Sequence, residues 1–439
     1  MIVKFTKYFS VFKPHYNYVF LEVILLKIVG DNSLWVKKNK QLGQTYPTLS
    51  KNIETDVVIV GGGSTGALAS YYLMKENVDC VLVDKFEVGM NATSVTTAIL
   101  QYEIDNNLFG LSSHIGEDAA KQAFLFDYQA VMEIGNIVKD IKSDCDFNFT
   151  PCFYYTNDDE NVDMIKDECK ARQAIGIYCD LFTPETHESE FSFDYKAGIY
   201  SHYGAATMDP LKFTRNLITH QVKQGLNVFE HTNIIDFDLS PSKVILTTED
   251  GYTITASKVI MCTGYETIEK FNLVDDLILT RTFTVATKPV SSFEGWKEKC
   301  IIRDDKDPYT YLRTTGDDRI IIGGKDMKIS KLDDQMATLE DRHPLSLQAY
   351  HQLTKRARHM FPNISDIQGD CWFNGFFAET KDSLPLMGPH PDYPGAYFVL
   401  GYGSNGILYS TIGAKLIAQH YKGLNPRDLD LYSFTRFNT

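Results

Sequence analysis

Three glycines spaced G-x-G-x-x-G, Gly61, Gly63 and Gly66, with a carboxylate at Asp84, are the residues here best placed to hold a phosphorylated ligand. Gly61 allows a tight turn, Gly63 lets main chain approach a pyrophosphate, and Gly66 lets a helix pack closely on a sheet. Ser64 and Thr65 open a helix predicted over 64–75, whose first amides and dipole suit negative charge. Asp84, with Lys85 beside it, stands where a carboxylate takes ribose hydroxyls. The pattern predicts a dinucleotide site without separating FAD from a nicotinamide cofactor.

The elements that must position these residues are legible around them. Residues 57–60 (VVIV) and 80–83 (CVLV) are wholly apolar, as strands buried on both faces of a parallel sheet should be. A second strand–glycine turn–helix unit lies near the C-terminus: strand 397–400, turn 401–406, helix 407–421. It would bring Gly403, Ser404, Asn405, Gly406 and Ile407 to a ligand at another helix N-terminus, which favours FAD. Residues 89–100 (GMNATSVTTAIL) are rich in small and hydroxyl side chains and suit a phosphate or a planar ring. Residues 111–141 read as one amphipathic helix, 157–175 as a charged one. Asp209 is an N-cap and Pro210 a first helical residue for a helix reaching about residue 224. Short strands follow at 226–231, 233–239, 243–249 and 253–254, then a buried strand 259–262 closing on Thr263-Gly264. Residues 277–287, 309–313 and 319–322 alternate like antiparallel strands, and 341–360 reads as a helix. The fold class is α/β, α+β overall, with two interleaved domains.

The chain has 439 residues, 44% hydrophobic and 23% charged, and a net charge of −14, which argues against a nucleic-acid binder. Eight cysteines form no C-x-x-C, and no histidine stands at ligand spacing, so no metal site and reduced thiols in a cytoplasmic protein are expected. Residues 1–33 form an N-terminal extension, peripheral or disordered. Its apolar run 18–26 is too short to span a bilayer and is interrupted by Glu22, so no integral membrane span is expected.

The chain resembles the glycine/D-amino acid oxidase superfamily of FAD-dependent oxidoreductases from about Leu34 onward. The resemblance rests on VIVGGGSTG with LVDK, VIMCTG (259–264), YTYLRTTGDDRIIIGG (309–324), WFNGFFAETKDSLPLMG (372–388) and GYGSNGI (401–407). It implies a Rossmann-type FAD-binding domain (34–105, 205–275 and 365–439) interleaved with an antiparallel-sheet substrate domain (106–204 and 276–364). It also implies Val228 as a main-chain contact on the adenine side, and Ser94, Thr96, Thr97 and Ala98 along the pyrophosphate or ring. Hydride transfer from a carbon bearing an amine to flavin N5 is the expected reaction, with oxygen or another acceptor. The alternatives are a dehydrogenase of 2-hydroxy acids or polyols, or a flavin-binding electron-transfer subunit.

Two departures bear on the substrate. The resembled amino-acid oxidases carry a carboxylate-binding arginine in G-x-R-P; here Phe377 stands in its place, and no cysteine stands there to link a flavin. Non-covalent FAD is therefore expected. Phe376, Phe377, Tyr309, Tyr311 and Tyr402 would frame an amine. Arg313 and Arg281 are the remaining carboxylate-binding candidates, with surface ion pairs as the competing reading.

Overall fold

The computed structural model describes residues 3–4, 25–26, 32–40, 44–187, 189–271, 273–274, 277–329, 340–424 and 426–437. Most of the extension 1–33 lies outside the described residues. Val3–Lys4 and Leu25–Leu26 form a small antiparallel pair.

The apolar strand Ile53–Val60 sits at the centre of an eight-stranded sheet. Cys80–Val83 and Asn227–Phe229 continue it in parallel on one side, and Thr253–Met261 flanks it in parallel on the other. Thr253–Met261 changes neighbours along its length. Its first half pairs antiparallel with Val244–Thr248, its second half parallel with Tyr393–Leu400. Helices Ser64–Lys75, Pro210–Val222 and Gly406–Tyr421 pack together on one face. Asp209 caps the second of these, its Oδ1 accepting from Lys212 N at 2.9 Å.

A second sheet runs in the order Gly369–Glu379, Ile278–Thr287, Ile320–Ile329, Tyr311–Thr314, Ile301–Asp304, Cys152–Thr156, Ala197–Ser201, Cys179–Phe182. Helix Pro344–Met360 packs on it and buries Ala349, Tyr350, Leu353, Ala357 and Met360. The strand Gly369–Glu379, expected with the nucleotide-binding segments, is instead hydrogen-bonded along its length to Ile278–Thr287. Its alternating burial suits the edge of a half-covered antiparallel sheet, not a parallel one buried on both faces. Ile99–Gln101, Ala205–Thr207 and Asn148–Phe149 form a separate three-stranded antiparallel sheet with Ala205–Thr207 in the middle.

The run 111–141, expected as one helix, is two. Leu108–Ile115 and Glu117–Asp140 meet at Gly116, whose φ of +87° breaks the helix. Residues 32–40 pack into the fold. Leu34 and Trp35 are buried against Leu211, Ala286, Ile321, Cys371 and Phe373. Trp35 Nε1 donates to the Thr96 carbonyl at 2.6 Å, so this segment props the loop 89–98 from beneath. Among the described residues no helix is long and apolar enough to cross a membrane. Among them, too, no group of three or more His, Cys, Asp or Glu is placed to hold a metal. The eight cysteines are buried and free.

Candidate active site

The first glycine turn is built by contact with main chain. Gly61 has φ +109°, and a Cβ there would lie 2.4 Å from the Cys262 carbonyl oxygen. A Cβ on Gly66 would lie 1.9 Å from the Gly61 carbonyl oxygen. Asp84 braces the turn: Oδ2 accepts from Gly62 N at 2.6 Å and Oδ1 from Phe86 N at 2.7 Å. Each oxygen keeps a further lone pair, and the side chain lines a large cavity.

Burial pushes the Asp84 carboxyl up to about 6, against the opposing pull of its two amide donors. The ionised form is therefore disfavoured in the folded protein. Any stability from the neutral form is present below the unfolded value and lost as pH rises through about 6. Ribose hydroxyls donating to Asp84 would favour the ionised form, so the ligand has the opposite dependence. FAD affinity should fall about tenfold between about pH 7 and about pH 5, a charge-assisted hydrogen bond being worth about 1.5–3 kcal/mol. Quenching of flavin fluorescence on titration into apoprotein measures this, and Asp84→Asn should flatten the profile.

The second glycine turn opens on the same cavity. Gly61, Gly63, Ser64, Thr65, Asp84, Lys85, Thr96, Thr97, Thr263 and Gly264 line it together with Gly403, Ser404, Asn405, Gly406 and Ile407. Neither helix that begins here has a side-chain cap. Gly63 has no side chain to offer, and Asn405 turns its amide away. Asn405 Nδ2 donates to the carbonyls of Gln101 at 3.2 Å and Glu103 at 3.0 Å, and to Asp127 Oδ2 at 2.8 Å. Apart from Ser64 N, which donates to Thr93 Oγ1 at 3.0 Å, the first-turn N–H groups of both helices find no side-chain acceptor among the described residues, an arrangement suited to negative charge.

The loop 101–105 holds this second turn. Asp105 accepts from Ser404 N at 3.1 Å, Ser404 Oγ at 2.8 Å and Tyr309 OH at 3.1 Å. Behind it Arg172 forms ion pairs with Glu103 and, at 2.8 Å, with Glu168, all three fully buried. Glu168 also accepts from Leu108 N at 2.9 Å.

Tyr309, Tyr311, Phe376, Phe377 and Tyr402 line the cavity with Thr282 and Thr284. Tyr311 OH shares a hydrogen bond with Thr282 Oγ1 at 3.0 Å, and Tyr402 OH donates to the Val399 carbonyl at 2.7 Å. Burial raises all three phenols, so they stay neutral at ordinary pH and act as donors.

Several residues singled out by sequence lie elsewhere. Arg313 does not reach the cavity. It shares a strand face with Tyr311 but sits one pleat further along, under loop 89–98. There Nη1 donates to the carbonyls of Thr97 (3.0 Å), Ala98 (2.6 Å) and Met208 (3.0 Å), and the guanidinium lies over Trp35. Burial lowers it to about 9. Arg281 is buried too, bonded to Asn374 and lying over Phe376, so neither arginine is a surface ion pair. Ser94 is buried, its Oγ donating to the Asn91 carbonyl at 2.8 Å, and Thr93 takes the place beside Ser64 N at 3.0 Å. Ala98 has φ +50° and serves by its carbonyl. Val228 is packed in the parallel sheet opposite Leu82, while Thr232 and Asn233 line the cavity beyond it. Gly66 packs helix on turn. Lys85 does line the cavity, where it pairs with Glu266. Gln101, Asp105 and Arg303, which no motif marks, stand at the wall or directly behind it.

The model of the FAD-dependent oxidoreductase family DAO matches residues 56–420. The chain belongs to the DAO family. It is therefore an FAD-dependent oxidoreductase, and the uncapped helix starts, glycine turns and Asp84 fit that cofactor. This DAO-family chain is 23% identical over 404 residues to glycine oxidase of Geobacillus kaustophilus, covering 87% of this chain and 97% of that one. That enzyme's crystal structure superposes with a TM-score of 0.72 at 19% identity, over 87% of this chain and 99% of that chain. Gamma-glutamylputrescine oxidoreductase of Escherichia coli is 19% identical over 386 residues, 86% of each chain. A Bacillus subtilis protein that carries the name putative Rieske 2Fe-2S iron-sulfur protein is 25% identical over 248 residues. That match covers 56% of this chain and about half the relative's length, 47%.

Proposed function

We propose that this enzyme oxidises the C–N bond of an amine or an N-substituted amino acid. The observation that carries the reading is one cavity lined both by two uncapped helix N-termini and by an aromatic wall. FAD, held by the glycine turns at Gly61–Gly66 and Gly401–Gly406 and by Asp84, would supply the two-electron oxidation. The protein's part is to bind, orient and exclude water. The amides of the helix Gly406–Tyr421 would face negative charge on the ring, held in place by Asn405 and Asp105. Phe376, Phe377, Tyr309 and Tyr311 offer apolar and π faces to an amine. No ionised phenol is at hand as a base, so the amine would react in its neutral form. The names carried by the relatives, glycine oxidase and gamma-glutamylputrescine oxidoreductase, support a nitrogen-bearing substrate.

Purified holoenzyme should bleach anaerobically with one member of a panel of amines and N-methyl amino acids. Bleaching by 2-hydroxy acids or polyols alone would replace this reading with the alcohol-oxidising one. A flavoprotein that no small molecule bleaches would point to an electron-transfer subunit. Electrons would pass on to oxygen or another acceptor, and the iron–sulfur relative supports including one-electron acceptors in the assay. We also place the enzyme in the cytoplasm, a reading its eight free thiols suit.

The cofactor is read as non-covalent. Among the described cavity-lining residues the sole cysteine is Cys262, and burial raises its thiol, which makes it a poor nucleophile. Cys371 is packed against Leu34 and Trp35 instead. Acid precipitation should leave the yellow colour in the supernatant; a yellow pellet would show a covalent link.

A further inference from the structure

Two cysteines remote from the cavity lie in contact. Cys169, on the helix Val162–Ala174, and Cys179, which opens the strand Cys179–Phe182, have their Sγ atoms 3.9 Å apart. Cys179 Sγ also lies 3.8 Å from the Cys169 carbonyl oxygen, and Gln173 Nε2 donates to the Cys179 carbonyl at 2.8 Å. The end of the helix and the start of the strand are thus held together. Both thiols are buried just beneath the surface, since Lys170, Gln173, Tyr178 and Asp180 around them are exposed. Among the described residues the strand is the edge of the second sheet, paired with Ala197–Ser201 alone. Local opening at such an edge admits a small oxidant.

The pair is polarised. The hydrogen bond from Cys179 holds the Cys169 thiol below its ordinary value against the opposing effect of burial, and the charge of Arg172 pulls the same way. The same bond, with burial, pushes Cys179 up. Thiolate character therefore concentrates on Cys169, and the thiolate is the nucleophile. Cys169 also stands between two residues that brace the cofactor side. Glu168, just before it, accepts from Leu108 N at 2.9 Å. Arg172, one turn on, pairs with Glu103 and donates to Tyr102 OH at 3.0 Å. Those partners belong to the segment 101–108, whose Glu103 carbonyl accepts from Asn405 at the second glycine turn.

We propose that Cys169 and Cys179 are a dithiol that a hydroperoxide closes to a disulfide, and that closure loosens the Arg172 clamp on the second glycine turn. The Cys169 thiolate attacks a peroxide oxygen and the O–O bond breaks; with one proton taken up, the products are a sulfenic acid and water. Cys179 sulfur then displaces the hydroxyl, its own proton leaving with it as a second water. The two sulfurs lose two electrons and the peroxide gains them. The sulfurs must close from 3.9 Å to about 2.05 Å. The contacts from Glu168 and Arg172 to segment 101–108 tolerate only about 0.5 Å before hydrogen bonding fails. In a reducing compartment such a bridge is transient and redox-sensing. The assignment holds whatever substrate the cavity takes.

The test is treatment of holoenzyme with hydrogen peroxide, quenching with catalase, and mass-spectrometric mapping after alkylation without reductant. Two of the eight thiols should be lost, joined as a Cys169–Cys179 bridge that dithiothreitol reverses. Oxidised holoenzyme should release FAD in urea at least about threefold faster than reduced holoenzyme, the scale of one weakened hydrogen bond, and reduction should restore the rate. Cys179→Ser should stop at a dimedone-reactive sulfenic acid on Cys169, whereas Cys169→Ser should leave Cys179 unmodified at the same dose. Both thiols recovered free in wild type, a bridge between other cysteines, or sulfenic acid on Cys179 in Cys169→Ser overturns the dithiol. A bridge that leaves FAD release unchanged overturns the link to Arg172. The wild-type map needs no variant, so a substitution that fails to fold still leaves the assignment decided.

Discussion

Gly66→Ala should purify with less than about a tenth of the wild-type flavin content. The added methyl would lie 1.9 Å from the Gly61 carbonyl oxygen, inside any tolerable contact, and the obstacle is main chain. Overpacking costs about 1–3 kcal/mol or more when backbone must move. Here the backbone that must move is the turn itself. Gly61 is fixed at φ +109°, wedged beneath the Cys262 carbonyl, so the strain passes into the amides that open the helix Ser64–Lys75. Gly63→Ala is the control. Its methyl would meet Thr93 Oγ1 at 3.2 Å, a side chain that can shift, so flavin loss should be milder. The ratio of flavin to protein absorbance reads both. Wild-type flavin content in Gly66→Ala would show that this turn does not carry the cofactor.

Arg172→Ala should destabilise the protein by about 3–5 kcal/mol, the scale for removing one partner of a buried ion pair. Two carboxylates, Glu103 and Glu168, would be left buried without their cation. The pair also stabilises function indirectly, because the Glu103 carbonyl accepts from Asn405 at the second helix start. Denaturant titration of the holoenzyme should show a lower midpoint, and the flavin should leave earlier than in wild type. Arg172→Met combined with Glu103→Gln and Glu168→Gln should recover most of the loss, since burying neutral groups avoids the uncompensated charge. No gain from the triple change would mean that packing around the guanidinium, not charge, is what Arg172 provides.

The sequence was readable where local pattern and final environment agree. The helix Ser64–Lys75 and the strand Cys80–Val83 have the bounds their pattern predicts, because the glycine turn and a uniformly apolar strand admit few alternatives. The strand Thr253–Met261 shows where this breaks down. Its alternating first half and solid second half read as two strands, because it passes from an antiparallel neighbour to a parallel one without interruption. Gly116 is hidden as a helix break because the apolar spacing continues on either side of it. The helix Pro344–Met360 starts at a proline, later than its pattern, with His343 as the cap. The position of Arg313 is not legible in sequence because strand alternation fixes which face a side chain takes, not what covers that face. Here loop 89–98 covers it. Arg303 and Gln101 lacked a motif. The usable signal is an arginine directly after the apolar pair Ile301-Ile302, and a polar residue two positions beyond Ile99 on the same strand face.

The order in which the strands are laid down has a consequence for synthesis. The chain leaves the first sheet after Val83, returns for Asn227–Met261, leaves again for Ile278–Glu379 and comes back only at Leu386–Leu400. A nascent chain therefore holds unfinished edges of both sheets until its last fifth has cleared the ribosome. Any single stop codon before that point leaves two incomplete layers instead of one intact unit. Splitting the gene into halves should fail for the same reason, whichever boundary is chosen.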